Sequence, residues 1–391
     1  MKGFFSINNS VKKSGCGISC LLNKSCKTQF KSLNNCAGDF LLITDFPSKM
    51  EDKKGKKLSD IYSETILENL SKYNLQLDKN CSLTYAVKCC PSDSNSISKK
   101  EIDTCSNILR EEIISCKPKV ILLLGEIALE SFLKNRWKKD LGTIHKWRGL
   151  KIYDREYNCW VVATYSPAWI QEQKQNEIIL KIFKNDFKLA ISLLEIPIPS
   201  FEDEKQFIQI ITNENQACKM LERIRQKEKL IAIDFETTGL RPYSKGHNII
   251  SFSIAYSEFS CFSCLASSKT KEILKTVLTD PSIKKIASNM KYEHLWAREI
   301  LGVEIKGWIW DTMLASHILD NRTGINGLKF QVYTNFGIID YSSKIEKYLD
   351  SKKGIFNNIK EAPVEDLLLY NGLDSLFEFR LAKIQMKELY I

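Results

Sequence analysis

The stretch Leu230-Ile-Ala-Ile-Asp-Phe-Glu-Thr-Thr-Gly239 places two acidic residues at the end of an apolar run. Its apolar start predicts a buried β-strand. Because side chains alternate between the two faces of a strand, Asp234 and Glu236 share one face. Two carboxylates on one face repel each other, and burying them is costly unless a cation lies between them. The stretch is typical either of solvated acids at a strand end or of a metal site.

Two further acidic residues follow in the same half of the chain. Glu293 lies at the start of a predicted helix, in the segment Asn289-Met-Lys-Tyr-Glu293. Asp374 lies on a helix predicted over residues 364–389, four positions after Tyr370, so the two side chains share one helix face. Four separated acids with a tyrosine at helical spacing form a specific constellation.

These three segments resemble the three exonuclease motifs of the proofreading domain of family A DNA polymerases, in the tyrosine subclass of the DEDD superfamily. The resemblance covers residues 205–391 and implies an RNase H-like fold that removes nucleotides from a DNA 3′ end. One position departs from the pattern. The second motif usually ends in aspartate, whereas this chain has Glu293, whose side chain is one methylene longer.

The resemblance also implies a role for each residue of the motifs. Two Mg²⁺ or Mn²⁺ ions about 4 Å apart would stabilise the charge that develops during phosphodiester cleavage. Such hard cations prefer oxygen ligands. The implied metal ligands are Asp234 (bridging both ions), Glu236, Asp374 and Glu293. Tyr370 would orient the attacking water, and Thr237 and Asn289 would contact the terminal nucleotide.

The chain is long enough for two domains, and a proline-containing segment separates its halves at residues 194–204. The predicted domains are residues 1–195 and 203–391. In the first, apolar strands such as 40–44 and 120–124 alternate with helices such as 58–73 and 102–114. This alternation predicts an α/β fold with a parallel sheet. The second domain is also predicted to be α/β.

The 13 cysteines are concentrated in the first half, where ten lie before residue 160. Without an export signal, a disulfide framework is not expected. Four thiolates from two regions would suit a [4Fe–4S] cluster or zinc: Cys16, Cys20, Cys89 and Cys105. Cys26 and Cys90 are rival ligands, and scattered buried thiols are the structural alternative.

The first half resembles the iron–sulfur families of uracil-DNA glycosylases over residues 14–190. The matching features include the early cysteine pair, Lys88-Cys89, the strand and glycine of residues 118–125, and Tyr165-Ser166-Pro167 in place of a late His-Pro motif. The resemblance implies an α/β/α fold with a structural [4Fe–4S] cluster.

The positions that serve uracil excision in that family are altered here. Leu58 aligns with the stacking phenylalanine, Tyr85 with the base-reading asparagine and Ser166 with the histidine of the late motif. Tyr85 is expected to fill the base pocket, although Asp45 retains a carboxylate that would position water. The expectation is a non-catalytic module that binds DNA or docks a polymerase.

Net charge and hydropathy limit the classes of partner that the chain is expected to bind. A net charge of +10 favours nucleic acid, and no run approaches the length of a membrane span. We expect a cytoplasmic protein (in the host cytoplasm if phage-encoded, since the arrangement is phage-like) that acts on single-stranded DNA 3′ ends. It would be a fragment of a family A polymerase or a separate subunit acting with one. The alternatives are a bifunctional enzyme with active uracil excision, a non-enzymatic replisome scaffold and an RNA-trimming nuclease.

Overall fold

The computed structural model describes residues 20–30, 33, 36–92, 97–174, 176–200, 202–351 and 355–390. The chain divides into two compact units, Met1–Ile198 and Pro199–Ile391. The division falls within the proline-containing segment 194–204. Within the described ranges, no helix is both long and apolar enough to cross a membrane.

The N-terminal unit is built around a five-stranded sheet. Its strands are β1 (Phe40–Thr44), β2 (Cys81–Tyr85), β3 (Val120–Leu124), β4 (Ile152–Asp154) and β5 (Cys159–Thr164). Its helices are α1 (Leu21–Ser25), α2 (Lys49–Lys54), α3 (Ser63–Lys72), α4 (Lys99–Cys116), α5 (Glu126–Leu133), α6 (Ile144–Trp147), α7 (Pro167–Glu172) and α8 (Glu177–Ser192).

The strand order is β2-β1-β3-β5-β4, and only β4 runs antiparallel to its neighbour. Every residue of the four parallel strands is buried. Parallel strands buried on both faces read as continuous apolar runs, as Val120–Leu124 does. The carboxyl ends of β1, β3 and β5 therefore open at one edge of the sheet, where the loops that follow them meet.

A disulfide joins Cys36, which precedes β1, to Cys116 at the end of α4. The expectation that the chain forms no disulfide framework is wrong for this pair. Proximity explains the pairing, since the two Cα atoms lie 4.8 Å apart, which is within the range that a disulfide spans. Neither cysteine belongs to the predicted ligand set of the cluster.

The C-terminal unit contains a six-stranded mixed sheet. Its strands are β6 (Ile208–Ile211), β7 (Leu230–Thr237), β8 (Ile249–Ser257), β9 (Ser260–Leu265), β10 (Lys284–Ala287) and β11 (Trp308–Asp311). Its helices are α9 (Glu214–Lys227), α10 (Ser268–Thr279), α11 (Lys291–Trp296), α12 (Thr312–Leu319), α13 (Leu328–Phe336), α14 (Ser343–Leu349) and α15 (Val364–Glu388). A π-helical turn, Ala297–Leu301, follows α11.

The order of this sheet is β11-β10-β7-β8-β9-β6. β7 pairs antiparallel with β8 and parallel with β10, so it lies near the centre. Alternate residues of β7 enter two different cores. Ile231, Ile233 and Phe235 pack with the cluster that contains residues of α9 and α10, whereas Ala232 packs with residues of α15. Asp234 has the same parity as Ala232, and period 2 therefore turns it toward α15.

The long helix α15 covers that second face of the sheet. A Cβ atom on Gly372 would meet Cγ2 of Ile208 at 2.4 Å, so only glycine permits this close approach of helix and strand. Leu373, Leu376 and Phe377 complete the apolar contact. The approach brings the polar residues of α15 against the end of β7.

Candidate active site

Three carboxylates converge where β7 meets α15. Oxygen atoms of Asp234, Glu236 and Asp374 all lie within 4.8 Å of one another. Glu236 is 8% and Asp374 5% exposed. Since all three side chains offer oxygen from a largely buried site, the group fits a hard divalent cation.

Burial and mutual repulsion dominate the electrostatics of this group. Burial raises the pKa of Asp234 well above its usual range, and the charge of Asp374 raises it further. Burial likewise raises the pKa of Glu236, with contributions from Asp234 and Asp374, while the charge of Lys329 lowers it. Three crowded acids that resist ionisation are the arrangement that a divalent cation stabilises.

Two residues of other elements fix the carboxylates in place. Nδ2 of Asn371 donates to Oδ2 of Asp234 at 2.6 Å and to its backbone carbonyl at 3.2 Å. The hydroxyl of Tyr341 donates to Oδ1 of Asp374. Sequence reasoning missed both residues. Asn371 follows Tyr370 inside the third motif, which offered a weak signal, but Tyr341 lies 33 positions before Asp374, and no local pattern links the two.

Tyr370 lies one helical turn before Asp374, as the spacing predicts. Its side chain is buried, and its ring stacks on Tyr341 with the centroids 5.9 Å apart. Nζ of Lys329 lies 5.5 Å from the centre of the Tyr370 ring. Burial and the charge of Asp374 raise the pKa of Tyr370, so its hydroxyl keeps its proton at neutral pH. A protonated phenol is able to donate a hydrogen bond to a water molecule.

Glu293 lies in the same region but outside the tight group of three. It is 2% exposed on α11, and its Oε2 atom has no hydrogen-bond partner within the described part of the chain. Burial raises the pKa of Glu293, and the charge of Asp234 raises it further. Glu293 thus belongs to the same acidic region at a greater separation.

The other predicted residues lie around the carboxylates. Thr237 is buried at the end of β7, where its hydroxyl donates to the carbonyl of Gly239 at 2.9 Å and pairs with the Tyr292 hydroxyl. Asn289 adopts a positive φ of 65° at the turn before α11. Its backbone N–H donates to Asp311 at 3.0 Å.

Asp311 organises this turn. Its carboxylate accepts the N–H groups of Asn289 and Met290 and also those of Met313 and Leu314 at the start of α12. Four backbone donors leave little capacity for a metal, so Asp311 holds the loop that carries Asn289 and Glu293.

The N-terminal unit encloses a cavity of about 540 Å³ at the carboxyl ends of β1 and β3. Asp45, Leu58, Tyr85 and Ser166 all line it. The expectation that Tyr85 fills the pocket was therefore wrong. Its hydroxyl donates to Oε1 of Glu51 at 2.7 Å, which holds the ring in the wall and leaves the cavity open.

The cavity wall is acidic and aromatic. It includes five carboxylates, and none of its described lining residues is lysine or arginine: the acids are Asp45, Glu51, Asp60, Glu126 and Glu172. Burial raises the pKa of Asp45 to about 7, although the backbone N–H of Ala128 donates to it at 2.9 Å. The hydroxyl of Tyr165 pairs with Nδ1 of His145 at 2.9 Å. A negative wall disfavours a departing anionic base.

Four described cysteines of the N-terminal unit lie in one apolar region. Cys89 and Cys105 belong to one apolar cluster, and Cys20 and Cys26 pack against it. Cys16 lies outside the described residues. Cys90 is also buried, and its thiol donates to the carbonyl of Pro91. The described structure therefore collects three of the four predicted ligands, together with the rival Cys26, in one region.

Comparisons with known proteins define the class of each unit. Residues 208–390 match the family model described as 3′–5′ exonuclease, and residues 30–193 match that of the uracil DNA glycosylase superfamily. The chain thus carries a 3′–5′ exonuclease domain after a uracil-DNA-glycosylase-like domain, and both domains are α/β. Both resemblances seen in the sequence, and the predicted fold class, are confirmed.

Individual relatives are similar to this chain over different shares of its length. A type-4 uracil-DNA glycosylase of Saccharolobus solfataricus is 27% identical over 188 residues, covering 46% of this chain and 85% of the relative. A DNA polymerase of Bacillus phage SP01 is 21% identical over 313 residues, covering 72% of this chain but 32% of the polymerase. Among solved structures, NrnC of Brucella melitensis bound to pGG is 20% identical with a TM-score of 0.34, over 47% of this chain and 79% of NrnC.

Proposed function

We propose that this protein is a metal-dependent 3′→5′ exonuclease of the proofreading type, which acts on single-stranded DNA 3′ ends with a family A DNA polymerase or as part of one. The convergence of Asp234, Glu236 and Asp374 within 4.8 Å carries the proposal. The similarity of the chain to part of a phage DNA polymerase supports DNA as substrate and a polymerase as partner. The proposed location is the cytoplasm, that of the host if the protein is phage-encoded.

The proposed residue roles follow from the resemblance to the exonuclease motifs, and the convergence of Asp234, Glu236 and Asp374 supports them. Two Mg²⁺ or Mn²⁺ ions would supply charge stabilisation for the attacking and leaving oxygens. Asp234, at the centre of the acidic region, would contact both ions. Glu236 and Asp374 would complete the site nearest the attacking water, and Glu293 would support the other. Tyr370 would orient the water through its protonated hydroxyl.

Thr237 and Asn289 are the proposed contacts to the terminal nucleotide. Thr237 follows Glu236 at the end of β7, and Asn289 lies in the turn before α11, four residues before Glu293. The proposed exonuclease domain comprises residues 203–391, and the proposed glycosylase-like domain comprises residues 1–195.

Digestion of a 5′-labelled single strand tests the proposal. The wild-type protein should shorten the strand stepwise from its 3′ end in Mg²⁺ and stop when EDTA is added. Asp234→Ala should abolish digestion. Asp366→Ala is the matched control, because Asp366 lies on α15 and bonds to the surface residue Lys344. Equal digestion by Asp234→Ala and the control would refute the assignment, and faster digestion of an RNA strand would change the substrate.

For the glycosylase-like domain we propose a structural [4Fe–4S] cluster and a binding role. Cys20, Cys89 and Cys105 lie in one region, and Cys16 would be the fourth ligand. The cluster would hold the loops that carry its thiolates. Anaerobically purified protein should be brown with broad visible absorption, and Cys105→Ser should lose it. A colourless protein with a full thiol titre would contradict the cluster.

The binding role rests on a scaffold that is retained although its excision chemistry is altered. Residues 199–391 form a compact unit, so a chain without the N-terminal unit should keep metal-dependent digestion of short strands. It should bind DNA or the polymerase more weakly than the full chain. Unchanged affinity for both partners would refute the binding role.

Base excision is a second candidate function for this domain. The open cavity of about 540 Å³ and the retained carboxylate of Asp45 favour it. Incubation of the full chain with a labelled uracil-containing strand separates the candidates. Alkali-sensitive sites at uracil would establish excision, whereas intact sugar–base bonds would leave the domain as a binding module.

A further inference from the structure

Glu378 is a buried carboxylate in the exonuclease domain that the three motifs do not include. It lies on α15 four residues, about one helical turn, beyond Asp374 and is 1% exposed. Its Oε1 atom accepts the backbone N–H of Ser288 at 3.0 Å. Its Oε2 atom has no hydrogen-bond partner among the described residues. A buried carboxylate oxygen without a donor is costly, and it calls for a ligand.

Glu378 faces the same acidic region as the motif residues. Burial raises its pKa, and the charges of Asp234, Glu293 and Asp374 raise it further. The position of Glu378 one turn beyond Asp374, and its contact with Ser288 in the segment that precedes Glu293, put it on the side of α15 that carries Asp374. Helical spacing gives the reason, because residues 370, 374 and 378 lie at intervals of four on one face of α15.

Glu293, on α11, shares this feature with Glu378. Its Oε2 atom is also buried and lacks a partner in the part of the chain that the structure describes. Glu378 holds the backbone of Ser288, five residues before Glu293, so the two acidic side chains belong to one local arrangement. Buried carboxylate oxygens without protein donors are suitable ligands for a divalent cation.

A count of formal charges supports a cation at this position. Five buried acids at full ionisation would carry a charge of about −5. Lys329 supplies one positive charge near Glu236 and Asp374. Two divalent ions would supply about +4, which balances the remainder.

We propose that Glu378 is a fifth acidic residue of the metal site and that it holds the second divalent ion together with Glu293. The inference rests on the proposed exonuclease function and deepens it. In this arrangement Glu378 contributes its free Oε2 atom to the ion, directly or through one water molecule. Oε1 remains on Ser288 and keeps the turn before Glu293 in place.

The substitution Glu378→Gln separates this role from a purely structural one. A glutamine carbonyl still accepts the Ser288 N–H, but the side chain loses the charge that attracts the cation. Glu365→Gln is the matched control, because Glu365 is an exposed residue of the first turn of the same helix. Thermal unfolding of both variants would verify that the domain is intact.

Electron paramagnetic resonance of Mn²⁺ titrated into the full chain provides the test. Wild type and Glu365→Gln should bind two Mn²⁺ ions. Glu378→Gln should bind the first ion as wild type does and the second at least about tenfold more weakly, the size of effect typical of groups that support a metal site. Two ions bound by Glu378→Gln with wild-type affinities would overturn the inference.

Two further outcomes keep the result decisive. If Glu378→Gln does not fold, Glu378→Asp is measured instead, because its shorter side chain withdraws the oxygen and should also weaken the second ion. Unchanged binding in that variant would overturn the inference. If wild type binds two ions and digests DNA while Glu378→Gln is unaltered, only this inference fails. If wild type binds no Mn²⁺, the proposed exonuclease function fails with it.

Discussion

The two units treat their buried acids in opposite ways. At the end of β7, Asp234, Glu236 and Asp374 converge on one another, and Glu293 retains an unpartnered oxygen beside them. Around the glycosylase-like cavity, individual acidic side chains accept hydrogen bonds from protein donors. Glu51, for example, accepts from Tyr85 and also caps α2.

This difference separates a site that requires a ligand from a site that the protein itself has stabilised. Asp234 and Asp374 each accept a side-chain hydrogen bond, but the mutual repulsion of the converging carboxylates remains and is relieved by a cation. Carboxylates that accept backbone and hydroxyl donors are already satisfied. Acidic residues therefore indicate chemistry in the exonuclease domain. In the glycosylase-like domain they mainly stabilise the wall of the cavity.

The largest effect is expected from removing one converging charge. Asp374→Asn keeps the shape of the side chain but removes a metal ligand, so the rate of 3′→5′ digestion should fall by at least about 1000-fold. Single-turnover digestion in saturating Mg²⁺ measures it. Asp366→Asn, on the same helix, should retain the wild-type rate, and a comparable loss in both variants would contradict the comparison.

Asp311→Ala should destabilise the exonuclease domain without removing a proposed metal ligand. Four backbone N–H groups would lose their acceptor at the turn before α11 and at the start of α12. We expect the free energy of unfolding to fall by about 3 kcal/mol, measured by urea denaturation. A loss below about 0.5 kcal/mol would show that the turn is held by other contacts.

In the glycosylase-like domain, removing an acid should stabilise the protein. The pKa of Asp45 is about 7 in the folded state and 3.8 ordinarily, so folding favours its protonated form. The stability that this preference contributes is complete below pH 3.8 and declines as pH rises to about 7. Asparagine mimics the protonated form, so the free energy of unfolding of Asp45→Asn should exceed that of the wild type by about 2 kcal/mol at pH 8. This figure includes a reduction for screening by water in the open cavity.

The control for Asp45→Asn is the same measurement at low pH. Urea unfolding at pH 3 should show little gain, because the wild-type carboxyl is then protonated in both the folded and the unfolded states. An equal gain at both pH values would mean that packing, and not the buried charge, separates the two proteins.

The smallest effect is expected at Tyr341. Tyr341→Phe removes the hydroxyl that donates to Asp374 but leaves the ring stacked on Tyr370. Digestion should slow about tenfold, because Asp374 loses its orientation but remains a ligand. Raising Mn²⁺ should recover part of the rate. A loss as large as that of Asp374→Asn would assign Tyr341 a direct role.

Local patterns predicted the elements that carry the site. The strand predicted from Leu230 to Glu236 ends one residue later, and the helix predicted over 364–389 spans Val364–Glu388. Apolar alternation and helical spacing are properties of neighbouring residues, and the sequence contains them directly.

The remaining features depend on contacts between distant residues. The helix predicted over 58–73 begins at Ser63, because Leu58 adopts a positive φ of 50° while its N–H donates to Glu51. The strand β10 begins with two lysines and has no strand pattern. Tyr341 and Glu378 enter the site through packing of α15, and no local motif marks them.

Diffraction at the manganese absorption edge, from crystals of the full chain soaked in Mn²⁺, would test the central claim most directly. Two anomalous peaks about 4 Å apart, bounded by Asp234, Glu236 and Asp374, are the predicted result. An absence of peaks between these side chains, in crystals of protein that digests DNA, would contradict the account.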